Sequence, residues 1–154
     1  MASPRILLVD DAPEMLATIK RLLRHDFDVV GSAHNGEEAL EAVATLDPDL
    51  VTLDVSMPLL NGIQVASRLR ERRSRTKVVF VTVHEDPDYV EGAFSAGARA
   101  YVLKSRIATD LVPAVQEVLQ GRVFTSSFKQ TEPQYQKHLC DLAARRSAVV
   151  AEAN

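Results

Sequence analysis

The run Ile6-Leu7-Leu8-Val9-Asp10-Asp11 closes an apolar stretch on a pair of acids, and a second run, Leu50-Val51-Thr52-Leu53-Asp54, closes on a third. Read as buried parallel strands, the two runs bring three carboxylates to one edge of one sheet. Ligands of open α/β sheets bind outside the carboxyl ends of the strands, so this edge is the expected functional site. Converging carboxylates raise one another's pKa, and a divalent cation offsets that repulsion. The pattern predicts a magnesium-type site. Two further apolar runs end on polar groups: Val78-Val79-Phe80-Val81 on the hydroxyl of Thr82, and Ala100-Tyr101-Val102-Leu103 on the ammonium of Lys104.

Helix-period segments separate these runs. After Asp11, residues Met15, Leu16, Ile19, Leu22 and Leu23 share one helical face, Pro13 suits the first turn, and Glu14 favours the positive end of the helix dipole. A strand is expected near Asp28 to Ser32, then an Asn35-Gly36 turn and a helix from Glu37 to Leu46 stopped by Asp47-Pro48. Further helices are expected from about Ile63 to Arg72, Pro87 to Ala96 and Thr109 to Leu119, the last two followed by Gly97 and Gly121. Strands too uniformly apolar to have a wet face, alternating with helices, predict an α/β fold with a parallel sheet covered on both sides.

The chain has 154 residues, of which 46% are hydrophobic and 25% charged, the composition of one globular domain. A net charge of −3 gives no electrostatic reason to expect direct nucleic-acid contact. No apolar stretch approaches the roughly 20 residues of a membrane-spanning helix, and the N-terminus lacks the long apolar segment of a signal peptide. A cytoplasmic location is expected. Cys140 is the lone cysteine, so no intrachain disulfide is possible. The arginines between Arg68 and Arg75 end a helix, where cations meet the dipole favourably, and read as a solvated face. His25, His34, His84 and His138 show no metal-ligand spacing.

The order of acid pair, acid, hydroxyl and amine at successive strand ends, with the segment Asp54-Val55-Ser56-Met57-Pro58-Leu59-Leu60-Asn61-Gly62, resembles the receiver domain of two-component response regulators over residues 5–121. The resemblance implies a flavodoxin-like (βα)5 three-layer sandwich with parallel sheet order 2-1-3-4-5, an order that periodicity does not determine. It implies that Asp54 is the phosphoacceptor, taking a phosphoryl group from a histidine kinase or phosphotransfer protein. Magnesium would be held by Asp11 directly, by Asp10 mainly through water, by Asp54 and by the backbone carbonyl of Ser56. Thr82 and Lys104 would bind phosphoryl oxygens. Thr82 and Tyr101 would form the switch, Thr82 moving inward and freeing space into which Tyr101 rotates, so that the face of helix 4, strand 5 and helix 5 changes its protein contacts. No further catalysis is implied beyond the chain's own phosphotransfer and dephosphorylation.

The sequence departs from that family at several positions. Val83 follows the switch hydroxyl where the family usually has Ala or Gly, and is expected to crowd the phosphoryl approach. Ser56 and His84 fill positions that tune phosphoryl lifetime. Ser105 follows Lys104 where many receivers have a cis proline, so a trans or strained loop is expected. Tyr101-Val102-Leu103-Lys104-Ser105 resembles the NarL/FixJ-type regulators, whose outputs are helix-turn-helix domains. Residues 1–123 read as the receiver. Residues 124–154 read as a linker and C-terminal tail, too short for a DNA-binding domain of that type. Tyr135, Leu139, Leu142 and Val149 fall on a helical stripe there, which reads either as a docking helix or as an unfolded tail. Two rival readings stand beside the receiver switching protein contacts. One is the receiver piece of a helix-turn-helix transcriptional regulator. The other is an aspartyl-phosphate phosphohydrolase of the haloacid-dehalogenase type, which the sequence disfavours because Val55-Ser56 follows Asp54 where Asp-x-Asp is needed and no cap domain is present.

Overall fold

A computed structural model of the protein describes residues 3–126 together with 141 and 142. Strands and helices alternate as β1 (Arg5–Val9), α1 (Pro13–Leu23), β2 (Asp28–Ala33), α2 (Gly36–Leu46), β3 (Leu50–Leu53), α3 (Gly62–Glu71), β4 (Lys77–Thr82), α4 (Pro87–Ser95), β5 (Ala100–Leu103), α5 (Ile107–Leu119) and β6 (Phe124–Thr125). The strands form one parallel sheet in the order β2-β1-β3-β4-β5-β6. The flavodoxin-like order expected from the resemblance is present, extended by a sixth strand. Phe124 to Ser126, read above as the start of a linker, belong to the sheet: Phe124 pairs with Ala100 and Thr125 with Tyr101.

The two sheet faces explain the apolar runs. Leu7, Val9, Val51, Leu53, Phe80, Tyr101 and Leu103 point to the side covered by α2, α3 and α4. Ile6, Leu8, Leu50, Val79, Val81 and Val102 point to the side covered by α1 and α5. Alternate residues face opposite layers, and because both layers are dry nearly every inner-strand position is apolar, Thr52 of β3 being a buried exception. Burying each large side chain of this kind stabilises the fold by roughly 1.5–3 kcal/mol.

The helices start where the sequence supplies caps. Asn35 and Asn61 accept from the backbone amides of Glu38 and Gln64, and Gln64 returns the bond to the Asn61 amide as a capping box. Asp86 caps α4, with Pro87 in its first turn. In α5 the helix begins two residues before the expected Thr109, after a 3-10 turn at Lys104–Arg106, and it runs through Pro113. The missing Pro113 amide leaves the Thr109 carbonyl without its usual helical donor. Tyr135, Leu139 and Val149 of the C-terminal stripe lie outside the described residues. Leu142 packs against the core on the α2–α4 side.

Candidate functional site

Register builds the site. Val9 lies beside Leu53, and Leu53 beside Phe80, so the residues just past β1 and β3 meet at one sheet edge. The Asp54 amide donates to the Val9 carbonyl at 3.2 Å and the Asp10 amide to the Ala33 carbonyl at 3.2 Å, which fixes both backbones. Thr82 lies beside Leu103 across β4 and β5, which brings the hydroxyl and Lys104 to the same edge.

Carboxylate oxygens of Asp10, Asp11 and Asp54 lie within 4.8 Å of one another, with Asp10 and Asp54 buried and Asp11 exposed. Lys104 Nζ stands between the buried pair, 2.8 Å from Asp10 Oδ2 and 2.9 Å from Asp54 Oδ2. The first is a charge contact without hydrogen-bond alignment, the second an aligned hydrogen bond. Burial disfavours the Lys104 charge, but the two carboxylates outweigh it and hold its pKa above the ordinary value. Asp10 Oδ1 accepts from the Ala12 amide at 2.8 Å. Asp54 Oδ1, by contrast, is buried with no hydrogen-bond partner. A buried anionic oxygen without a donor is costly, and it is an atom open to a cation or an electrophile.

The loop after β3 is clamped against this carboxylate. A Cβ on Gly62 would lie 2.1 Å from the Asp54 carbonyl oxygen and 2.8 Å from the Phe80 ring, so only glycine allows the loop to close here. The Gly62 amide donates to the Val55 carbonyl at 2.8 Å. Leu59, at the loop's tip, has φ 72° and is 71% exposed.

Thr82 is fully buried, and its Oγ1 accepts a long 3.4 Å contact from the His84 amide. Tyr101 is fully buried too, and its hydroxyl donates to the His84 carbonyl at 2.7 Å. Tyr101 sits inward in this structure, where the His84 carbonyl supplies the partner its hydroxyl needs. Val83, the residue after β4, is 65% exposed. Among the described residues every peptide bond is trans, including the one before Ser105.

Sequence reasoning missed how the mouth is bridged. Ser56 Oγ lies 2.6 Å from His84 Nε2, and the His84 ring stacks on Tyr89 with centroids 4.3 Å apart. These three residues come from separate segments with no spacing pattern to link them. Sequence reasoning also missed Asp110, an acid inside the apolar stripe of α5, which accepts from Ser126 Oγ at 2.7 Å and from Arg106 Nε at 3.0 Å. Arg106 four residues before Asp110 was the available signal.

Comparison with known proteins agrees with this geometry. Residues 6–116 match the response regulator receiver domain family. The chain is 37% identical over 124 residues to the uncharacterized transcriptional regulatory protein YvfU of Bacillus subtilis, covering 79% of this chain and 62% of the relative. It is likewise 37% identical over 123 residues to the nitrate/nitrite response regulator protein NarL of Escherichia coli K12, covering 79% of this chain and 57% of NarL. The chain therefore spans about three fifths of the length of these curated relatives. Among solved structures, the signal receiver domain of the putative response regulator NarL from Mycobacterium tuberculosis superimposes with a TM-score of 0.76 at 33% identity, over 79% of this chain and all of that one. With acids, hydroxyl and amine converging at the strand ends of a flavodoxin-like sheet, the chain belongs to the receiver domain family of two-component response regulators.

Proposed function

We propose that this receiver accepts a phosphoryl group on Asp54 from a phosphohistidine of a histidine kinase or phosphotransfer protein. The observation that carries the reading is Asp54 itself: one oxygen held by Lys104, the other buried and unpartnered at a cluster of acids. Attack by that carboxylate forms a P–O bond as the P–N bond breaks, and the departing imidazole takes up a proton. Lys104, already beside the carboxylate, pairs with one phosphoryl oxygen, and the Thr82 hydroxyl donates to another. Asp10, Asp11 and Asp54 with the Ser56 carbonyl suit a magnesium ion, which when bound neutralises the charge on the phosphoryl oxygens. The unpartnered Asp54 Oδ1 supports that fit.

The switch in this reading runs through backbone rather than through a swinging ring. When Thr82 turns its hydroxyl to the phosphoryl group, its contact with the His84 amide changes, and His84 is the residue to which Tyr101 is tied. The β4–α4 segment then moves as a unit and alters protein contacts on the face of α4, β5 and α5. The relatives are transcriptional regulators of which this chain spans about three fifths, and that favours a second reading, the receiver portion of a DNA-binding regulator. DNA contact by the present residues is not proposed, since the net charge is −3. Incubation with a small acyl phosphate and magnesium, followed by intact mass measurement, tests the reading. One phosphoryl adduct is expected on the protein and none on Asp54→Asn; equal labelling of both would overturn it.

A further inference from the structure

Glu37, Leu40, Glu41 and Ala44 of α2 recur at helical spacing and share one face. α3 packs alongside α2 and contributes Arg68 and its C-cap residue Arg72. With Leu59 and Leu60 of the β3–α3 loop, these residues line a groove of about 490 Å³. The loop is seated directly on the start of α2: a Cβ on Gly36 would lie 2.4 Å from Leu60 Cβ and 2.5 Å from the Leu60 carbonyl oxygen. The groove is therefore a preformed feature of the fold.

Two properties set this surface apart from one shaped only for water. Leu59 is the most exposed large apolar side chain among the described residues, and it stands at φ 72°, a backbone region that disfavours leucine. The chain gains neither burial nor backbone preference from that placement. The charges are also segregated, with Glu37 and Glu41 on the α2 rim and Arg68 and Arg72 on the α3 rim. All four are exposed, and among the described residues none of them shows an ion pair.

Segregation selects the occupant. A uniformly basic or acidic partner is attracted by one rim and repelled by the other. A second copy, turned about a two-fold axis lying in the face between the rims, sets arginines over acids on both sides, because an isologous contact pairs residue i with j and j with i. The projecting leucine and the hollow lie on the same face, so shape follows the same rule.

We propose that the α2–α3 groove pairs with the same groove of a second copy of the chain, Leu59 seating against Leu40 and Leu60 of that copy while Glu37 and Glu41 face its Arg68 and Arg72. This surface is separate from the α4, β5 and α5 face, and the pairing does not rest on phosphorylation of Asp54. The apolar centre is small and exposed ion pairs contribute little each, so the contact is a weak one whose rims set orientation.

Sedimentation of the full chain over about a hundredfold range of concentration tests it. Wild type should pass from monomer to dimer, and severalfold less readily when salt rises from about 0.1 M to about 1 M. Glu37→Arg with Glu41→Arg, and separately Arg68→Glu with Arg72→Glu, should each stay monomeric, while an equimolar mixture of the two proteins should form dimers. Leu59→Asn suits the left-handed backbone better, so it should resist urea at least as well as wild type while associating at least tenfold more weakly. Wild type that stays monomeric throughout, as when another segment of the chain or a different protein is the occupant, would overturn the proposal. So would dimers that persist in either charge-reversed protein or in Leu59→Asn, or a mixture that does not associate.

Discussion

Replacing Lys104 by methionine keeps the length of the stem and removes the charge that separates two buried carboxylates. The ammonium lies 2.8 Å from Asp10 and 2.9 Å from Asp54, with side-chain exposures of 13% for the lysine and 1% and 7% for the acids. At an effective dielectric of about 20, each contact is worth a gross ~5–6 kcal/mol, most of it offset by desolvation of the ammonium. Breaking a fully buried pair by removing one partner costs about 3–5 kcal/mol, and the residual exposure of Lys104 lowers this to about 2–4 kcal/mol. For a domain of this size that is a fall in Tm of roughly 7–14 °C. Differential scanning calorimetry at neutral pH reads it directly. Magnesium at about one hundred times its Kd should return about 2.7 kcal/mol, because the cation takes over the role of the missing ammonium. Adding Asp54→Asn to Lys104→Met should recover about half of the loss, since one of the two stranded charges is gone. A Tm within about 2 °C of wild type, or a loss that Asp54→Asn leaves untouched, would refute the electrostatic account of the site. In the wild type the folded pKa of Lys104 lies above its ordinary 10.5, so its contribution is complete below that pH and is lost as pH rises through the folded value.

Gly62→Ala should destabilise by about 2–3 kcal/mol and slow labelling of Asp54 at least tenfold, because the new methyl meets the Asp54 carbonyl and the Phe80 ring; chemical denaturation and mass kinetics check both. Asp11→Ala should weaken magnesium binding about tenfold or more in titration calorimetry while the fold is kept, since Asp11 is the exposed member of the acid cluster. Desolvation would raise the Asp110 pKa, but hydrogen bonds from Ser126, Arg106 and Thr109 outweigh it and hold the carboxyl below its ordinary 3.8. Its stabilising contribution is therefore present above that pH and lost as pH falls through the lower folded value. Ser126→Ala should accordingly lose less stability between neutral pH and about pH 3 than wild type does, measured by urea denaturation at each pH.

Much of the fold was legible because its sheet is dry on both faces. Ile6 to Val9 and Val78 to Val81 read as strands for that reason, and the helices expected from about Ile63 and Pro87 begin within a residue of those positions. Strand order was not legible from periodicity, which records that a residue is buried and not which strand lies beside it. β6 was hidden for a related reason: Phe124 and Thr125 sit among polar residues, and their pairing depends on Ser126 reaching Asp110 across the fold. At the site the acids, Thr82 and Lys104 announced themselves as polar ends of apolar runs. Val83, expected to crowd the phosphoryl approach, is 65% exposed just past the end of β4. The Ser56–His84 bridge and the inward seat of Tyr101 arise from loops meeting in space, which no local pattern records.

In the proposed reading Asp54 is the residue that carries the phosphoryl group. Labelling the intact protein with a small acyl phosphate and magnesium, trapping the product with borohydride and mapping its peptides locates the acyl phosphate directly, because reduction converts the modified carboxyl to an alcohol. The reduced side chain is expected at position 54, with Asp10 and Asp11 unreduced. Reduction at Asp10 or Asp11, or labelling that leaves position 54 unreduced, would contradict it.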